Sequence, residues 1–158
     1  MYFKTKIKRT WTDNLFSKYI RDRAGWKCQH PKCNKSFDKN DSKQSRKLHC
    51  CHIGYGRGHV PTRWNEYNCL ALCSGCHLWV DSHPFRSIWL LNQHFSLEQI
   101  LFVKDQYANK RTRKINKDFE AKERERVKKL IEKQKIVYAR LSLSDDPEAK
   151  QMKEEILK

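Results

Sequence analysis

Apolar side chains recur at helical spacing near the start of the chain. Leu15, Phe16, Tyr19 and Ile20 share one stripe behind the polar Thr12-Asp13-Asn14, and Gly25 ends the pattern. This predicts a short amphipathic helix over residues 13–23 that covers a face of whatever follows it. Ahead of it, Lys4, Lys6, Lys8 and Arg9 form a basic arm. Trp26, Lys27 and Cys28 read as a short strand entering a turn, with Pro31 in a knuckle between Cys28 and Cys33. Phe37 is a candidate core residue, and residues 38–47 are a polar loop without periodicity. Leu48 to Ile53 predicts a further strand, after which Gly54, Gly56 and Gly58 free the backbone for a loop carrying Arg57 and His59. From Leu70 the pattern turns helical, with Cys73, Cys76, His77 and Val80 on one face and His83-Pro84 closing it.

Two short helices are expected over residues 85–108, broken near Phe95-Ser96, where Ser96 and Gln99 have capping-box spacing. Trp64, Trp79 and Trp89 read as core, since a small metal domain needs large apolar side chains. From Lys110 to Leu141 the composition shifts to Lys, Arg and Glu with an apolar minority, which fits one long helix. Asp146-Pro147 starts a last helix whose Ala149, Met152 and Ile156 share a face. Three segments follow from this reading: a basic arm and amphipathic helix (1–25), a metal-bearing domain (26–109) and a basic helical extension (110–158).

Charge changes the picture from fold to partner. With 34 Lys and Arg against 18 Asp and Glu, the formal net charge of +16 attracts polyanions, and nucleic acid is the leading one. No apolar run approaches the roughly 20 residues that span a bilayer, so no membrane partner is expected. Residues 1–27 lack the apolar stretch of a signal peptide. The expected location is a reducing cytoplasm, that of the host cell for a phage-encoded chain. Seven cysteines in that setting point to metal rather than disulfides.

Tetrahedral zinc takes four thiolate or imidazole ligands, commonly from two knuckles. The pairs here are Cys28 with Cys33, and Cys73 with Cys76, which predicts a structural Zn²⁺. The wider first pair leaves His30, Cys50, Cys51 or Cys69 as substitutes for one of them. Such a site would offset a small core by tying distant segments together.

His52 at the end of a strand, Asn68 before a helix, and His77 directly after a cysteine pair stand in an order that resembles the HNH nucleases, which have a ββα-metal fold. The chain is similar in particular to phage recombination nucleases of the NinG and recombination-enhancement type. The likeness rests on LFSKYIRDR before the first knuckle, CHIGYGRG, the pair Arg63-Trp64 and NCLALCSGCH, and covers about residues 11–110. It implies an α+β fold: a small zinc-stabilised ββα-metal domain with flanking helices and a long basic C-terminal helix. It also implies that His52 is the general base that deprotonates the attacking water, that Asn68 braces the loop and the base, and that His77 binds a catalytic divalent ion. Many members place a metal-binding His or Asp directly before the base, where this chain has Cys51. Asp81, one helical turn after His77, is the expected second ligand, with His83 and His49 behind it. Mg²⁺ or Mn²⁺ suits a carboxylate and water set, whereas sulfur from Cys51 would favour Zn²⁺.

Arg57 and Arg63 flank the loop as candidate phosphate contacts, and Lys110, Arg111, Arg113 and Lys114 open the basic extension that would add backbone affinity. The expectation is a metal-dependent DNA endonuclease of low sequence specificity, acting on single-stranded or branched DNA in phage recombination or DNA processing. The rival readings are a non-catalytic zinc-knuckle module that only binds nucleic acid, and an accessory protein whose C-terminal helix holds a second copy or another partner.

Overall fold

The computed structural model describes residues 7–109 and 115–143, and among them the fold is mixed helix and strand. Helix α1 (Trp11–Arg23) begins two residues earlier than the polar triplet suggests, because Thr10 is the cap. The Thr10 hydroxyl accepts from the Asp13 N–H, and the Asp13 carboxylate accepts from the Thr10 N–H at 2.7 Å, a closed capping box. Asp13 is thus the third residue of the helix rather than its start. The helix ends through Gly25 and Trp26, both at positive φ (57° and 59°). Such a conformation strains a tryptophan. Its indole N–H donates to Asp22 Oδ1 at 2.8 Å, and the Arg21 guanidinium lies 5.0 Å from the ring centroid, which holds the turn.

The expected strand at Trp26–Cys28 reduces to one bridge, Lys27 with Ser36, which closes the first knuckle. The polar loop contains a single turn, α2 (Ser42–Ser45), capped by Asp41. Strand β1 (Leu48–His52) pairs antiparallel with β2 (Cys69–Cys73), in a register that sets Leu48 against Cys73 and His52 against Cys69. The segment Leu70–Cys73 is therefore strand, not the helix its pattern suggests. All five residues of β2 are buried, and a strand covered on both faces loses the alternation that would reveal it. Helix α3 (Ser74–Asp81) follows at once, with Cys73 in the cap position.

Helices α4 (Pro84–His94) and α5 (Leu97–Asn109) break at Phe95-Ser96 as the sequence predicts. Ser96 and Gln99 form the reciprocal capping pair at 3.0 and 3.3 Å. Helix α6 (Lys117–Leu143) lies along α1. Thr12 Oγ1 donates to Glu120 at 3.0 Å, and the Tyr138 hydroxyl donates to the Asp22 carbonyl at 3.3 Å. Arg126 reaches Glu66 at 3.0 Å and also the Trp64 carbonyl. One core joins all three sequence segments, from Phe16 and Ile20 through Leu48, Trp64, Leu70, Leu72 and Leu90 to Val127.

Of the tryptophans expected in the core, Trp64 is there at 2% exposed. Trp79 and Trp89 are instead 36% and 39% exposed, between α3 and α4. Among the described residues no helix is long and apolar enough to cross a membrane. Lys4, Lys6, the basic cluster Lys110, Arg111, Arg113 and Lys114, and the last helix expected after Asp146 lie outside the described residues.

Candidate metal and catalytic site

The four cysteines paired on spacing alone converge. The Sγ atoms of Cys28, Cys33, Cys73 and Cys76 lie within 4.8 Å of one another, close enough to hold one metal ion. Cys33 and Cys73 are 3.9 Å apart. Tetrahedral zinc with Zn–S near 2.3 Å sets its sulfurs about 3.8 Å apart, so the cluster is compatible with a structural zinc. The bridge at Lys27–Ser36 and the bond from the Gln29 N–H to the Ala71 carbonyl at 2.8 Å dock the first knuckle against β2. His30 is not a member. Its Nδ1 accepts from the Lys32 N–H at 3.2 Å, and its ring stands 4.8 Å from Trp79, edge to face. Burial drives the Cys28 thiol up to about 11. Burial also pushes on Cys73, but the backbone and thiol of Cys76, then Cys28 and Cys33, outweigh it and leave Cys73 lowered.

His52 ends β1. Its Nε2 lies 2.9 Å from the Arg63 carbonyl, which can only accept, so Nε2 carries the proton and Nδ1 keeps a free lone pair. Burial lowers the imidazole to about 4, with the Arg63 carbonyl opposing. The ring is therefore neutral near pH 7.

On the α3 side of the sheet, Cys51, His77 and Asp81 each bring a ligand atom within 4.8 Å of the others. His77 Nε2 is 3.5 Å from Asp81 Oδ2, and His77 Nδ1 is 3.1 Å from His49 Nδ1. The expected pair His77 and Asp81 is thus present, and Cys51 joins it from the strand. His49 thus holds the second ring nitrogen of His77, leaving Nε2 toward Asp81. His83 occupies the N-cap position of α4 and stands outside the group. The role of His49 was visible in principle: alternation along β1 puts His49 and Cys51 on one face.

Asn68 is fully buried, and its side-chain hydrogen bonds go to the loop rather than to His52. Its Oδ1 accepts from the N–H groups of Gly54 (3.1 Å) and Tyr55 (2.8 Å), and its amide donates to the carbonyls of Tyr55 (2.8 Å) and Thr62 (3.1 Å). It holds the loop after His52 in shape, while the carbonyl of Arg63 holds the imidazole. A Cβ on Gly54 would stand 2.8 Å from Asn68 Oδ1, so only glycine lets the loop approach this closely.

The two loop arginines part company. Arg57 lines an open cleft of about 470 Å³ together with Arg9, Cys50, His52, His77 and Asp81. Arg63 is 2% exposed, and its guanidinium is engaged by both oxygens of Asp13 (2.8 and 2.5 Å) and by the Lys8 carbonyl (3.0 Å). It is a structural cation with no face to offer a phosphate. Arg9, read in the sequence as part of a basic arm, reaches the cleft because the segment before α1 folds over the loop. Compared with known proteins, the chain matches no family model, no curated protein and no solved structure.

Proposed function

We propose that this chain is a metal-dependent endonuclease of the ββα-metal (HNH) type, which hydrolyses DNA phosphodiester bonds with low sequence specificity. The observation that carries the reading is the cleft lined by His52, with one nitrogen tied to a carbonyl and the other open, and by His77 and Asp81. In this reading His52 Nδ1 takes the proton of a water as that water attacks phosphorus. A divalent ion held by His77 and Asp81 supplies charge neutralisation at the phosphate and leaving oxygen. Arg57 and Arg9 face the cleft and pair with phosphate oxygens. Asn68 and the Arg63 carbonyl position the loop and the base without touching substrate. The cysteine cluster takes a structural Zn²⁺ that holds the first knuckle to β2 and α3. Mg²⁺ and Mn²⁺ suit Asp81, while the thiol of Cys51 draws the site toward Zn²⁺.

The net charge of +16 suits DNA, and the resemblance extends the reading to single-stranded or branched DNA in phage recombination or DNA processing. Plasmid and oligonucleotide cleavage with Mg²⁺, Mn²⁺, Zn²⁺ or EDTA, comparing wild type with His52→Ala, tests it. General-base removal should cost about 10²-fold or more in rate, with the circular dichroism of the fold retained. Wild type that binds DNA but never cuts under any metal would make the chain a binding module. A folded His52→Ala that cuts at full rate would end the base assignment.

A further inference from the structure

His52 has neighbours that the proposed reaction does not use. The register of the sheet sets it directly opposite Cys69, and Cys50 precedes it by two positions, on the same face. A ring nitrogen of His52 and the Sγ atoms of Cys50 and Cys69 all lie within 4.8 Å of one another. This trio is separate from the Cys51 group, because alternation along β1 sends Cys51 to α3 and Cys50 with His52 to the opposite side. Its donors are two sulfurs and an imidazole, with no carboxylate, a soft set that selects zinc-like ions and disregards Mg²⁺.

We propose that Cys50, His52 and Cys69 form a second site for a thiophilic divalent ion, Zn²⁺ or its relatives, and that filling it takes the open nitrogen of the base and silences the cleft. The inhibitory consequence rests on the nuclease reading, whereas the binding site does not. Cys50 and His52 line the cleft, so an ion reaches them from solvent and keeps a water as its fourth ligand. Cys69, fully buried, forms the floor. Because Nε2 is committed to the Arg63 carbonyl, the nitrogen presented to the ion is Nδ1, the one that deprotonates water. Binding is a ligand exchange without redox change: each thiol releases one proton to solvent, the neutral imidazole releases none, and two sulfur–metal bonds and one nitrogen–metal bond replace waters of the ion.

Cobalt tests the site independently of cleavage. Protein whose four-cysteine cluster already holds zinc is titrated with Co²⁺, and the near-ultraviolet thiolate-to-cobalt absorption is compared between wild type, Cys50→Ser and Cys50→Ala. The wild type should gain this band. Both variants should lose the share of this band that the trio contributes, or need at least about tenfold more cobalt to reach it, since loss of a direct ligand costs no less than loss of a supporting group, while any band from Cys51 stays. Cys50 is only partly buried, so these variants keep the core intact. In parallel, saturating Zn²⁺ should slow Mg²⁺- or Mn²⁺-supported cleavage by the wild type about 10²-fold or more, as removing the base would, and should slow Cys50→Ser less, through the Cys51 group alone. Identical cobalt spectra in wild type and variants would overturn the site. Equal zinc inhibition of both would overturn the mechanism of silencing. The cobalt difference without any cleavage would support the site and remove the nuclease reading.

Discussion

Arg63 and Asp13 show how much a single buried pair can govern. Both side chains are nearly inaccessible (3% and 5% exposed), and the Trp64 indole N–H adds a bond to Asp13 Oδ1 at 2.9 Å. Burial alone would raise the Asp13 carboxyl, but the bonds from Arg63, the Thr10 N–H and Trp64 outweigh it and hold it below its usual range. Arg63→Ala strands the carboxylate in the core and should cost about 3–5 kcal/mol in urea unfolding. The same change loosens the carbonyl that aims His52. The imidazole itself predicts a pH dependence: its value in the fold, about 4, lies below the unfolded value near 6.5. Its contribution is present above pH 6.5, where both states are neutral, and is lost as pH falls toward 4, because only the unfolded chain then binds the proton. Thermal melts of wild type against His52→Gln should therefore converge as pH drops from about 6.5 to about 4; a constant difference would contradict the burial of the imidazole.

At the scale of elements, α6 is the surprise for a helix so rich in charge. Seen as a string it has a thin apolar minority, yet Val127 is fully buried and Leu130 and Ile131 pack on the same core. The stripe serves α1, whose outer face would otherwise stand open. Val127→Ala should cost about 2 kcal/mol, the transfer of two carbons plus a small cavity, measured by urea unfolding. An unchanged midpoint would mean that α6 separates readily from α1. The loop between β1 and β2 works differently. It has little regular structure, and the amide of Asn68 replaces a hydrogen-bond ladder by satisfying four backbone groups at once.

For the molecule as a whole, the cysteine cluster gathers the first knuckle, β2 and α3 at one point where a metal would tie them, and the apolar core ties α1 to α6. A two-stranded sheet is marginal alone, so both ties matter. Strong chelation, or Cys73→Ser, should abolish the cooperative thermal transition, because metal-binding free energy is folding free energy in such a site. An identical melt in both cases would show that no structural metal is bound. Charge is also a property of the whole: with a net charge of +16, any binding to a polyanion such as DNA should weaken steeply with salt, as a salt titration of binding would show.

Local chemistry was legible before any fold. Spacing sufficed to pair Cys28 and Cys33 with Cys73 and Cys76, the Ser96-Gln99 pair marked the break between α4 and α5, and Asp81 stood one turn from His77, because each depends on neighbours along a known backbone path. What depends on distant segments was not legible. Burial on both faces erased the strand pattern of β2. A salt bridge fifty residues long in sequence took Arg63 out of solvent. The carbonyl that orients His52 belongs to a residue known from sequence only as a charge. The trio of Cys50, His52 and Cys69 exists only in the strand register, which the string of letters does not specify. Residue type determined which atoms could bind metal or move a proton; tertiary packing decided which of them meet, since only the fold sets distances between parts of the chain that share no local constraint.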